Sequence, residues 1–206
     1  MATPTPPSAD EVRALVTRLV RELGEGGPRP AGGSEPAGAT ATAAGGTERR
    51  TGPVSTLALG ADHGGYTLKE RVAADLRDRG YTVHDCGTRT SDPVDYPDIA
   101  HEVAVMVARG DCEAGIVIDG AGIGSAIAAN KVPGVRAATC WDVSSARNSR
   151  EHNHANVLSL GAGLLGENLA REIIAAWLST TWGTGRHERR VAKIGALEAR
   201  YGTRFP

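Results

Sequence analysis

A chain of 206 residues with 40% hydrophobic and only 4% aromatic content can bury one medium domain around a core of Ala, Val, Ile and Leu. Its formal net charge of -1 excludes bulk attraction to nucleic acid or to an anionic membrane as its organising property. Three cysteines, Cys86, Cys112 and Cys140, are an odd number at no metal-ligand spacing, which excludes a disulfide framework and reads as reduced thiols of a cytoplasmic protein.

The N-terminal residues lack a basic leader with an unbroken apolar run, and no apolar run reaches bilayer length, so neither a secretory signal nor a membrane span is expected. Ser8-Ala9-Asp10-Glu11 forms a capping box. Val12, Leu15, Val16, Leu19, Val20 and Leu23 follow at helical spacing, and Gly24 is a stop. Residues 1–24 are therefore expected to carry an amphipathic targeting helix. From 25 to 53 the chain is almost all Gly, Pro, Ala, Ser and Thr, the composition of a disordered linker. A helix this short is marginal alone, so its apolar stripe needs a partner. Asp10, Glu11 and Glu22 argue against a mitochondrial presequence. A helix on a Gly/Pro/Ala tether resembles the encapsulation peptides that attach enzymes inside bacterial microcompartment shells, which implies a shell protein as partner of residues 8–24 and cargo inside such a compartment.

Residues 54–206 alternate strand and helix patterns. Strands are expected at Val54 to Gly60, Tyr81 to Asp85, Gly115 to Ile118, Val135 to Thr139 and Asn156 to Leu160. Helices are expected at Tyr66 to Arg79, Tyr96 to Ala108, Gly122 to Asn130, Ser144 to Glu151, Glu167 to Leu178 and Arg186 to Arg200. Short apolar strands separated by helices predict a doubly wound, Rossmann-like α/β domain: a five-stranded parallel sheet with helices on both faces. Ligands of such sheets gather at the carboxyl ends of the strands. Asp62-His63-Gly64-Gly65, Asp95-Tyr96-Pro97, the Asp119 turn and Arg150-Glu151-His152-Asn153-His154 are all expected at or near those ends. Gly185-Arg186-His187-Glu188-Arg189-Arg190 opens the last helix.

The turn Asp119-Gly120-Ala121-Gly122-Ile123-Gly124-Ser125 joins a buried strand to a helix, where unpaired backbone N–H groups can hold a phosphate or a developing oxyanion. Together with carboxylates, histidines and a basic cluster it describes a site for a phosphorylated, oxygen-rich small molecule. His152 and His154 lack the carboxylate or thiol neighbours of a metal site. No dinucleotide fingerprint follows the first strand, which disfavours a nucleotide-binding module.

In order from Leu57 to Arg200, the segments Gly60-Ala61-Asp62-His63-Gly64-Gly65 with Leu68-Lys69, Asp95-Tyr96-Pro97-Asp98, Gly122-Ile123-Gly124 through Ile127-Ala128-Ala129-Asn130-Lys131, Ser145-Ala146-Arg147 with Ser149-Arg150-Glu151-His152-Asn153, and Gly185-Arg186-His187 resemble the ribose-5-phosphate isomerase B family. That family also contains the subunits of galactose-6-phosphate isomerase. The resemblance implies metal-free, cofactor-free interconversion of aldose and ketose phosphates, in a site shared between the subunits of a homodimer or a dimer of dimers. It implies that His152 assists furanose ring opening beside Asn153 and Asp62. A base then moves a proton between C2 and C1, and the N–H groups from Gly120 to Ser125 meet the enediolate oxygen. His63, Arg186 and Arg190 hold the phosphate, and Tyr96 lines the sugar.

The chain departs from the family at three points. Many members have a cysteine base at Asp119 and another branch has a glutamate at Ser125, which leaves Asp119 as the carboxylate of this turn able to serve. An ordinary carboxyl pKa of about 4 requires desolvation to raise it for that task. The usual threonine is Ala121, and the usual phosphate-binding arginine is Gly163. These differences keep open a member that binds a sugar phosphate without turning it over, while Ile118-Asp119 with Gly122, Gly124 and Ser125 keeps galactose 6-phosphate open as an alternative to ribose 5-phosphate.

Overall fold

The computed structural model describes residues 54–201; the expected N-terminal helix and linker lie outside the described residues. Five strands, β1 (Thr56–Ala61), β2 (Thr82–Asp85), β3 (Ala114–Asp119), β4 (Ala137–Thr139) and β5 (Val157–Gly161), form one parallel sheet in the order β2-β1-β3-β5-β4. Between and after them run α1 (Tyr66–Asp78), α2 (Tyr96–Arg109), α3 (Ile123–Ala129), α4 (Val143–Asn153), α5 (Glu167–Ser179) and α6 (Arg186–Tyr201). The α/β architecture expected from the sequence is thus present.

β3 and β5 are buried along their whole length, as strands covered on both faces must be. On one face Leu57, Leu59, Ile116, Ile118, Leu158 and Leu160 pack with Leu68, Val72 and Leu76 of α1 and with Ile173 and Trp177 of α5. On the other face Ala58, Val117 and Val157 pack with Val103 and Val107 of α2 and Ala129 of α3. The alternation of the strands sends successive side chains into the two layers. Gly110 ends α2 at φ 80°, a left-handed conformation natural to glycine. Asp142 caps α4 by accepting the Ser145 N–H at 2.7 Å.

Register places the ends of the strands. Ala61 of β1 is level with Ile118 of β3, and Asp119 of β3 is level with Gly161 of β5. The turns after β1, β3 and β5 therefore meet at one edge of the sheet, the carboxyl edge. Among the described residues no helix is long and apolar enough to cross a membrane.

Candidate active site

The turn after β3 is built around its own carboxylate. Asp119 Oδ1 accepts the Ala121 N–H at 2.8 Å and the Gly122 N–H, and Oδ2 accepts the Ser125 N–H at 3.0 Å. Burial alone would raise this carboxyl. The hydrogen bonds from the Ser125 hydroxyl and from the Gly122, Ser125 and Ala121 N–H groups outweigh burial and hold it below the usual carboxylate range. That direction is opposite to the one a base at C2 requires. It also means that three of the N–H groups expected to face an enediolate already serve Asp119.

Strands β4 and β5 and the turn after β5 lock this turn from two sides. Gly122, at φ 78°, offers its carbonyl to the Thr139 hydroxyl at 2.8 Å and the Ser159 hydroxyl at 2.6 Å. The turn after β5 donates from Ala162 N to Asp119 O at 2.8 Å and from Gly163 N to Gly120 O at 2.9 Å. A β-carbon at Gly163 would stand 2.9 Å from Gly120 O, so any larger residue there presses on the turn.

Asp62 follows β1 at the same edge. Its N–H donates to Ile118 O at 3.2 Å and its Oδ1 accepts the Gly65 N–H at 2.9 Å. A β-carbon at Gly64 would stand 3.3 Å from Asp62 Oδ1 and 3.7 Å from the Gly120 nitrogen, so carboxylate and amide flank one spot. Tyr96 opens α2 with its ring over Gly124: a β-carbon there would stand 2.6 Å from Tyr96 Cζ. His63 is exposed, and its Nδ1 accepts the Val94 N–H at 3.3 Å. Asp62, His63, Tyr96 and Gly120 through Ser125 therefore share one half-site.

Behind it, Lys69 is fully buried on α1. Its Nζ donates to both oxygens of Asp85 at 2.8 Å and to Thr88 O at 2.7 Å. Burial works to raise the Asp85 carboxyl, but the Lys69 and Gly87 hydrogen bonds hold it low. Gly87 O in turn accepts the Ala61 N–H at 2.8 Å, so the Lys69–Asp85 pair, through Gly87, fixes the backbone next to Asp62.

The other expected residues lie elsewhere, which corrects the placement of the Arg150 to His154 cluster at the carboxyl ends. α4 leaves the sheet after β4 at that edge, and its 11 residues carry the chain about 16 Å back across it. His152 and Asn153 therefore end up just ahead of Val157, the first residue of β5, at the amino edge. His154 closes the helix in a left-handed conformation, φ 51°, and its Nε2 lies 2.7 Å from Gly183 O. Gly183 N donates to Glu151 O at 2.9 Å, which brings the start of α6 alongside. The His152 and His187 rings stack at 4.2 Å between centroids, 12° from parallel. Arg186 and Arg190 are exposed on the same first turns of α6.

His152, His187, Arg186 and Arg190, with Asn153 next to His152 on α4, thus form a second, basic candidate half-site about one strand length from the first. His187 follows Arg186 in the sequence, and only its packing against His152 singles it out. Desolvation, His152 and Arg186 push its imidazole below its usual range. Nearby, the Arg150 guanidinium lies 4.5 Å from the Trp177 ring centre and donates to Ala155 O at 2.6 Å, with burial and Arg136 pulling it down to about 10. Among the described residues no group of three or more His, Cys, Asp or Glu is placed to hold a metal ion.

Comparison with known proteins gives this arrangement a lineage. Residues 57–194 match the family described as Ribose/Galactose Isomerase. The chain is 46% identical over 144 residues to ribose-5-phosphate isomerase B of Escherichia coli K12, covering 70% of this chain and 97% of that protein. It is 41% identical to a D-erythrulose-4-phosphate isomerase of Pectobacterium atrosepticum, covering 69% and 95%. The solved ribose-5-phosphate isomerase B of Clostridium thermocellum superposes with a TM-score of 0.70 at 51% identity, covering 71% of this chain and 99% of that one. On sequence and fold together, the chain belongs to the ribose/galactose isomerase family.

Proposed function

We propose that this chain is an isomerase that interconverts ribose 5-phosphate and ribulose 5-phosphate by ring opening and proton transfer through an enediolate. The observation that carries the reading is the 46% identity to a protein named ribose-5-phosphate isomerase B, over 97% of that protein's length. The chemistry of the two half-sites supports it. One offers carboxylates, the Tyr96 ring and main-chain N–H groups to a sugar, and the other offers His152 and Asn153 for ring opening. Arg186 and Arg190, with His63 of the first half-site, hold the phosphate, arginine because its fork matches phosphate oxygens. Of the turn's N–H groups, those of Gly120, Ile123 and Gly124 are not given to Asp119 and are the ones left for the enediolate oxygen.

The two half-sites lie at opposite edges of the sheet within one chain, which supports a homodimer, alone or paired into a dimer of dimers, whose sites combine the carboxyl edge of one copy with the amino edge of the other. Exposed apolar residues beside each half-site are suited to the contact: Ile123 and Ile127 on α3, Ile194 and Leu197 on α6. For the N-terminal segment the reading is a cytoplasmic enzyme carried into a bacterial microcompartment, with residues 8–24 binding a shell protein. Its support is the capping box, the apolar stripe and the Gly/Pro/Ala-rich stretch that follows.

The full chain incubated with ribose 5-phosphate should form ribulose 5-phosphate, faster than it turns over D-erythrulose 4-phosphate or galactose 6-phosphate. Saturable binding of ribose 5-phosphate without turnover of any of the three would instead identify a binding protein. Co-purification with shell proteins should depend on residues 1–50, and unchanged recruitment after their deletion would remove the compartment reading.

A further inference from the structure

The geometry points to Asp62, rather than Asp119, as the base that moves the proton between C1 and C2, with Asp119 acting as the fixed internal anion that shapes the turn. This rests on the isomerase reading above. The two carboxylates stand at the ends of adjacent strands, Asp62 just after β1 and Asp119 closing β3, level to within one residue, but they are occupied very differently. Both oxygens of Asp119 accept N–H groups of its own turn, and the Ser125 hydroxyl adds to them. Freeing it to meet a substrate carbon would break those bonds and undo the turn. Asp62 accepts one N–H, from Gly65, through Oδ1. Its Oδ2 has no hydrogen-bond donor among the described residues, and its residue is only 8% exposed. A carboxylate with an open oxygen can meet a substrate hydrogen without giving up the bonds of its own turn.

The placement of donors agrees. The spot beside Gly64 lies 3.3 Å from Asp62 Oδ1, the oxygen that also accepts the Gly65 N–H, with Oδ2 on the same carboxylate, and 3.7 Å from the Gly120 nitrogen, whose hydrogen is not taken by Asp119. With ribulose 5-phosphate there, Asp62 takes a proton from C1. The C1–H electron pair becomes the C1–C2 double bond, and the carbonyl pair moves onto O2, which becomes an oxyanion facing the Gly120 N–H. A proton then passes from O1 to O2, and Asp62, whose carboxyl proton exchanges with solvent while the enediolate is held, gives a proton to C2, which leaves the aldehyde at C1. Asp119 acts through the turn and is a positioning residue.

Ribulose 5-phosphate has no furanose ring, so exchange of its C1 hydrogen with solvent deuterium reads proton abstraction apart from ring opening. Asp62→Asn, which keeps an acceptor for the Gly65 N–H, should lose this exchange and kcat by about 10²- to 10⁴-fold, the usual worth of a general base, at nearly unchanged KM. Asp119→Asn should keep more than about a tenth of the wild-type exchange while its melting temperature falls. Exchange that persists in Asp62→Asn, or that vanishes in an Asp119→Asn protein of wild-type melting temperature, overturns the assignment. Should Asp62→Asn not fold, Asp62→Ala with added formate decides: formate-dependent exchange supports the assignment, and its absence in the folded variant overturns it. A wild-type chain that neither exchanges nor converts ribulose 5-phosphate sinks the isomerase reading itself, which is a separate outcome.

Discussion

His152, on the last turn of α4, and His187, on the first turn of α6, stack their rings 4.2 Å apart, with Arg186 next to the pair. Desolvation and the charges of His152 and Arg186 hold the His187 imidazole below 6.5. The unfolded chain then binds more protons than the folded one at acid pH. Its contribution to stability is whole above about pH 6.5 and is lost as pH falls below that value. His187→Gln should flatten the fall in melting temperature between about pH 7 and pH 5. An unchanged pH slope would show that the imidazole does not titrate against its neighbours.

Asp119 gives the opposite sign at lower pH. Its carboxyl lies below the ordinary value of 3.8 in the folded chain, so the stability it contributes is present above about pH 4 and lost as pH falls through the lowered value. Asp119→Asn should cost about 1.5 to 3 kcal/mol at neutral pH, the worth of hydrogen bonds to a buried charge, and the difference from wild type should shrink in strong acid. Denaturant titrations at pH 7 and pH 3 measure both. A neutral-pH cost that does not shrink would mean that shape, not charge, holds the turn.

Two glycines of the first half-site separate substrate effects from folding effects. A β-carbon at Gly124 meets the far end of the Tyr96 side chain, which is 40% exposed and free to swing away. Gly124→Ala should therefore raise KM with a change in melting temperature of about 2 °C or less, since an accommodated methyl costs little. A β-carbon at Gly65 would stand 2.3 Å from Ile118 O, where the obstacle is the backbone of a central strand. Gly65→Ala should destabilise by about 3 kcal/mol or more. Equal effects of the two on melting temperature would contradict this division.

The strand and helix pattern was legible because burial on both faces writes itself into the chain. Leu68, Val72 and Leu76 announce the buried side of α1, and observed element bounds fall within two residues of the expected ones. What the residues did not reveal is direction. Chemical type alone groups His152 and Asn153 with Asp62, yet a helix of 11 residues that starts at the carboxyl edge must end at the amino edge. Counting helix length from Asp142 would have placed them. The state of Asp119 was hidden for another reason: a carboxylate followed by Gly120, Ala121 and Gly122 can face a ligand or fold into its own turn, and the choice lies in backbone dihedrals. Lys69 does carry a signal in the sequence, a lone cation beside Leu68 and Val72 with Asp85 at the end of the next strand.

The opposite-edge placement of Asp62 and His152 makes its own test of the shared site. If each site takes Asp62 from one copy and His152 from the other, Asp62→Asn and His152→Ala homodimers each contain two broken sites. A heterodimer of the two contains one site with both lesions and one with neither. Unfolding an equal mixture and refolding it together makes about half the dimers mixed, each with one of two sites intact, so about a quarter of wild-type activity should return. Refolding the two separately and then mixing without exchange gives the baseline. A site completed within a single chain would show no gain on co-refolding, because every chain in the mixture carries a lesion.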